Sequence, residues 1–206
     1  MAEKDVYLAS KSPRRKASLE QLGYRVTVIA GNAHTAGYFP GDEERLAGES
    51  PEAYVRRTAR TKFAEGLARR EALGLPAGAV LAADTVVSLG DEVLGKPADA
   101  EEAKAFLRRL SGRAHLVQTT VVAGTSLEDA EERTSTSSVV FRALSEGEID
   151  AYVATGEPFD KAGGYGIQGL AGVFVERIDG SFTGIMGLPV REAADVLARA
   201  GRPVFP

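Results

Sequence analysis

The chain has 206 residues, 44% hydrophobic and 26% charged, ordinary for a globular protein with a sizeable core. A net charge of −4 excludes a nucleic-acid binder that works by overall electrostatics, so any anion site must be a local basic cluster. The absence of cysteine excludes disulfides, thiol catalysis and cysteine-ligated zinc.

The opening MAEKDVYLAS has charges where a signal peptide needs an apolar run. No apolar run nears the roughly 18 residues of a membrane span. A cytoplasmic protein with no membrane partner is therefore expected. Asp5–Ala9 reads as a short first strand. Ser12 then suits a helix N-cap, Pro13 the first helical position and Gly23 the stop. The N-terminal end of a helix carries about half a positive charge and favours an acid in its first turn. This sequence instead places Arg14 and Arg15 there, with Lys11 before and Lys16 after. Solvated surface charge is one reading, at a cost of a few tenths of a kcal/mol each. A bound phosphate is the other, because a helix N-terminus offers unpaired N–H groups that two arginines would complete.

Arg25–Ala30 alternates like a second strand, and residues 31–50 form a long loop without periodicity that contains His34. Ser50-Pro51 opens a helix whose apolar stripe is Tyr54, Val55, Ala59, Phe63 and Leu67, ending near Leu73. Val80–Leu89 is the strongest strand, followed by a turn at Gly90-Asp91 and a hairpin strand Glu92–Leu94. Asp99 with Glu102 forms a capping box for a helix to Leu110. Ala114–Ala123 and Arg133–Leu144 are two long strands joined by an acidic loop, and Ser145 with Glu148 caps a helix that ends at Gly156. After the glycine-rich Asp160–Gly169, Val173–Ile178 and Ser181–Ile185 read as a strand pair around Asp179-Gly180, and Pro189 starts the last helix, which ends near Ala200. With no repeat and no linker, residues 1–206 read as a single α/β domain. Its paired strands, interleaved with helices, predict a mixed sheet flanked by helices.

Within LAADTVVSL one acid, Asp84, interrupts an apolar run. If Leu81, Ala83, Thr85 and Val87 share one face of the strand, Ala82, Asp84 and Val86 share the other. Asp84 is either a strand-end carboxylate bonded to a backbone N–H, or a metal ligand or general base that activates water. Lys62 ends RRTARTK, a run that reads as a solvated helix face, and Lys96 in GKP reads as surface charge when taken alone. His34 and His115 are too far apart in sequence to suggest a ligand pair and are assigned no role. DKAGGYGIQG packs four glycines into ten residues, which allows close approach of backbone to ligand but also suits plain turns.

Taken together, LASKSPRR, AADTVV, GKPADAEEA, LSGRAHLVQTTV, YVATGEPFDKAGGYGIQG and GLPV resemble the Maf family of nucleoside triphosphate pyrophosphatases, in order from Leu8 to about Leu197. The resemblance implies a twisted mixed sheet with two lobes around a deep cleft, like that of the inosine-triphosphate pyrophosphatases, and a homodimer. It also implies hydrolysis between the α- and β-phosphates with a divalent cation (Mg²⁺ or Mn²⁺), in the service of cleansing the nucleotide pool. Asp84 matches the proposed proton acceptor, which is also a candidate metal ligand. Ser12, Arg15, Lys62 and Lys96 match positions thought to hold phosphates. Arg14, Thr85 and Gln168 match the branch that takes dTTP and UTP rather than 7-methyl-GTP. Family members carry acids shortly after the second strand, where this chain has AGNAHTAG and no acid before Asp42. The role would pass to Asp42, Glu43 or Glu44, or be lost. The rival expectation is a nucleotide-sensing regulator of cell division with little catalysis.

Overall fold

The computed structural model describes residues 4–30 and 45–205. His34 and the Asp42-Glu43-Glu44 group lie outside the described residues. The first elements are β1 (Asp5–Leu8), α1 (Pro13–Gln21), β2 (Arg25–Val28) and α2 (Pro51–Ala72). β3 (Ala79–Leu89), β4 (Glu92–Leu94), α3 (Ala100–Leu110), β5 (Ala114–Gly124) and β6 (Glu131–Phe141) follow. The chain ends with α4 (Glu146–Ala154), β7 (Val175–Asp179), α5 (Phe182–Ile185) and α6 (Val190–Arg199). Among the described residues seven strands form one sheet in the order β2-β1-β3-β5-β6-β7, with β4 paired to β3. β1 is parallel to β2 and β3, whereas the β3–β4 and β6–β7 pairs are antiparallel, so the sheet is mixed.

Local chemistry accounts for the helix starts. The hydroxyls of Ser12, Ser50 and Ser145 each accept from a backbone N–H three residues on. At Ser145 the Glu148 carboxylate returns the bond, completing a capping box. Asp99 caps α3 in the same way, but Glu102 reaches back one residue further, to the N–H of Ala98 at 2.7 Å. The expected strand Ser181–Ile185 is instead the short helix α5. Ser181 accepts from the N–H of Gly184 at 3.0 Å, which turns the chain into a helix, and β7 takes β6 as its partner.

The chain divides into two compact units. One holds the residues up to Asp84, Thr119–Thr134 and Gly187 onward; the other holds Thr85–Gln118 and Ser135–Met186. In the first unit β3 is buried on both faces. Leu81 and Ala83 pack with Val6, Leu8, Leu19 of α1, and Val196 and Leu197 of α6. Val80 and Ala82, on the opposite face, pack with Ala59, Phe63 and Leu67 of α2. Gly66 lets α2 come this close: a Cβ there would lie 2.6 Å from the Cβ of Ala9 and 2.9 Å from Cγ1 of Val80.

In the second unit α3 and α4 cover a core that contains Phe141, Tyr165 and Phe174. His115 sits inside it, edge-on to Phe141 and Tyr165, with Nε2 2.7 Å from the Tyr165 hydroxyl. Burial pushes the His115 pKa down to about 4, so the ring is neutral at physiological pH. The folded chain therefore binds fewer protons than the unfolded chain below the ordinary value of 6.5, and stability drains as pH falls from about 6.5 toward 4. We expect the melting temperature to fall across this window and the slope to flatten in His115→Gln. An unchanged slope in the variant would assign the acid sensitivity elsewhere. Glu49 and Glu148, held at about 2 by Arg57 and Arg142, act only below their ordinary 4.5.

Candidate active site

The alternation of β3 places Asp84 on the same face as Val80 and Ala82, and α2 covers that face. Two residues of α2, one turn apart, meet the carboxylate. Lys62 Nζ donates to Oδ1 at 2.7 Å, and the Thr58 hydroxyl lies 2.5 Å from Oδ2. The side chains of Asp84 and Lys62 are 15% and 28% exposed, so the pair is sheltered but within reach of a ligand. Asp84 is thus a mid-strand carboxylate held by side chains, not a strand-end residue bonded to its backbone. Lys62, on a face read as solvated, turns its ammonium onto that carboxylate.

The start of α1 supplies cationic groups in the same unit. Ser12 caps the helix by accepting from the N–H of Arg15 at 3.4 Å. No acid stands in the first turn. The Arg15 guanidinium folds back, donating from Nε to the carbonyl of Gly187 at 2.8 Å and from Nη1 to the hydroxyl of Ser10 at 3.0 Å. Burial pushes the Arg15 pKa down, the charge of Asp84 opposes this, and Arg14 adds to it. A sheltered guanidinium with a second cation beside it is an environment that an anion would stabilise. The entry to α2 is fastened by Arg57, which grips both oxygens of Glu49 at 2.8 and 2.9 Å and stacks over Tyr54.

Thr85, Lys96 and Gln168 belong to the second unit. Lys96 is exposed and lies in the turn after β4. The adjacent carbonyl of Gly95 accepts from the N–H of Gly163, which ties the glycine-rich segment to that turn. Gln168 is exposed near the end of the segment. Glu157 anchors this end, accepting from the hydroxyl of Tyr152 and the N–H of Leu170, both at 3.0 Å. Tyr165 is held from below by His115.

Sequence reasoning passed over Thr58, Ser10 and Glu157. Thr58 did carry a signal: it lies three residues after Val55 and four after Tyr54, inside the apolar stripe of α2, and four before Lys62. Glu157 and Ser10 offered no comparable pattern.

Among the described residues no group of three or more metal-ligating side chains converges. Asp84 is a single carboxylate whose oxygens keep further lone pairs beside the donors from Lys62 and Thr58. That donor set fits Mg²⁺ or Mn²⁺ held mainly by phosphate oxygens and water, with one protein carboxylate, rather than an all-protein cage.

Gly169 has a packing role that can be tested. A Cβ there would lie 2.3 Å from Oε1 of Glu157, which accepts from the Tyr152 hydroxyl of α4, and 2.7 Å from Oε2, which accepts from the N–H of Leu170 in the loop. Gly169→Ala should therefore cost about 1–3 kcal/mol in denaturant unfolding as Glu157 gives up its hydrogen bonds. In a Glu157→Ala background the same substitution should cost much less; equal costs in both would remove Glu157 from the anchoring of the loop.

The family model described as Maf-like protein matches residues 5–200. The dTTP/UTP pyrophosphatase of Chromobacterium violaceum is 48% identical over 199 residues, covering 95% of this chain and 94% of that one. The dTTP/UTP pyrophosphatase of Myxococcus xanthus is 50% identical over 198 residues, covering 96% and 93%. Among solved structures, the Staphylococcus aureus Ham1 protein is similar with a TM-score of 0.42 and 15% identity, over 67% of this chain and 72% of that one. The family match and the near-half identity both run along almost the whole length, and on that ground this chain belongs to the Maf family.

Proposed function

We propose that this protein hydrolyses dTTP and UTP to the nucleoside monophosphate and pyrophosphate. The observation that carries the reading is that relatives named dTTP/UTP pyrophosphatase are about half identical to it along nearly their full length. The geometry of the first unit supports it. Asp84 is a sheltered carboxylate within reach of a ligand, with two donors setting its orientation. In hydrolysis it would take one proton from a water whose oxygen bonds to phosphorus as the link between the α- and β-phosphates breaks. The bridging oxygen leaves with pyrophosphate. Such transfers need positive charge on the phosphate oxygens and an aligned nucleophile more than covalent help from protein.

Ser12, Arg15, Lys62 and Lys96 are assigned to the phosphate oxygens. A divalent cation, Mg²⁺ or Mn²⁺, would neutralise phosphate charge and acidify water, and Asp84 is the residue that would hold it. For the base, the Gln168 amide has one donor and one acceptor and can match O4 and N3–H of uracil or thymine. The same amide, turned over, can match cytosine. Arg14, which only donates, favours the carbonyl over the amino group, and Thr85 completes the set assigned to the base. We place the protein in the cytoplasm, as a homodimer with no nucleic-acid or membrane partner. Among the described residues no helix is long and apolar enough to cross a membrane, and the net charge is negative.

Asp84→Asn should lower kcat by at least about 10²-fold with the fold retained, since a positioned acid–base group contributes roughly 10²–10⁴. Near-normal turnover in a folded variant would remove Asp84 from the chemistry. Tight binding of nucleotide by the wild-type protein without release of pyrophosphate would point instead to a nucleotide sensor. Measured with one metal at one pH, kcat/KM should be similar for dTTP and UTP and far lower for CTP, ATP and GTP. A site left with an unpaired polar group can discriminate by roughly 10⁴-fold, whereas one methyl gives only about 10–200-fold. CTP or GTP within about threefold of UTP would overturn the base reading and leave the hydrolysis standing.

A further inference from the structure

Thr58 is 1% exposed, and its hydroxyl faces three oxygens: Oδ2 of Asp84 at 2.5 Å, the carbonyl of Tyr54 at 3.0 Å and that of Val55 at 3.1 Å. A hydroxyl has one hydrogen to donate and two lone pairs to accept with. While Asp84 is ionised, the hydrogen belongs on Oδ2, because a bond to a charged acceptor is the stronger and the shorter. The other oxygen, Oδ1, is paired with the ammonium of Lys62, which has no lone pair and can only donate. Each carboxylate oxygen therefore has its own donor, and both donors stand on α2.

We infer that Thr58 is a positioning residue for Asp84: its hydroxyl fixes Oδ2 while Lys62 fixes Oδ1, so two side chains of α2 set the orientation of the carboxylate. The inference rests on Asp84 acting as the proton acceptor. The plainer role of a helical threonine is to bond the carbonyl one turn back, and that role needs no third oxygen. Here the contact with Asp84 is the shortest of the three, and the spacing of Thr58 and Lys62 makes α2 a two-point clamp on the carboxylate.

The test compares Thr58→Val, which keeps the shape and removes the hydroxyl, with Thr58→Ser, which keeps the hydroxyl. Melting temperature, kcat and KM are measured for UTP. Thr58→Val should lose about 10-fold in kcat with KM within about twofold, since loss of alignment at a reacting group costs rate rather than ground-state binding. Thr58→Ser should stay within about threefold of the wild-type protein. In an Asp84→Asn background, Thr58→Val should cost nothing further, because residues that act as a unit are non-additive. A folded Thr58→Val protein with wild-type kcat, or an equal loss in both backgrounds, overturns the role of Thr58 while the role of Asp84 stands. Asp84→Asn with normal turnover overturns both. If Thr58→Val does not fold, Thr58→Ala takes its place in both backgrounds, with the same losses expected and the same results overturning the role.

Discussion

A carboxylate placed inside an apolar strand costs free energy unless charged or polar partners meet it. β3 carries such a carboxylate at Asp84, and much of the first unit can be understood from how it is met. The partners come from α2, which must lie close to the sheet and rotated so that Thr58 and Lys62 point at the strand. Apolar packing sets that distance and rotation. Ala59, Phe63 and Leu67 bury against Val80 and Ala82, and the missing side chain of Gly66 removes the atom that would hold α2 away. Packing of this kind contributes roughly 1.5–3 kcal/mol for each large side chain buried, more than a partly exposed ion pair supplies. The ion pair is better understood as specifying an arrangement that packing stabilises. Removing the carboxylate would take from Lys62 the charge it faces, at a cost held down by the partial exposure of the pair.

The basic start of α1 poses the opposite problem. Arg14 and Arg15 stand at the positive end of a helix dipole with no acid in the first turn, and burial already works against the charge on Arg15. A hydroxyl and a carbonyl, from Ser10 and Gly187, orient this guanidinium, and the charge of Asp84 favours its protonated form. Under the proposed function, a triphosphate would add negative charge beside these cations.

The second unit applies the same logic to a loop. Backbone rich in glycine has little side-chain packing to define it, so order must come from anchors. Glu157 receives a hydroxyl and a backbone N–H, His115 meets Tyr165 inside an aromatic core, and Gly95 receives the N–H of Gly163. Gln168 is carried between these anchors on a segment whose own sequence would not hold it still. The neutral state of His115 follows from its depth in that core and suits a structural role.

The sequence alone determined the features whose energetics close within a turn or two of chain. The serine caps at Ser12, Ser50 and Ser145, the apolar run of β3 and the lone acid at Asp84 are all visible there, as are the motifs that mark the family. Tertiary structure decided what required partners from afar. Thr58 and Asp84 are 26 residues apart and Arg15 and Gly187 172 apart, and no local pattern specifies which donor meets which acceptor. The segment after Gly180 reads locally as a strand, but Ser181 caps a short helix there and β7 pairs with β6 instead. Lys62 looked like a solvated charge because its neighbours in RRTARTK are charged. The physical reason is common to all of these: caps and alternation depend on backbone geometry that neighbouring residues share. Pairing across the fold depends on sheet register and helix rotation, which exist only once the core has packed.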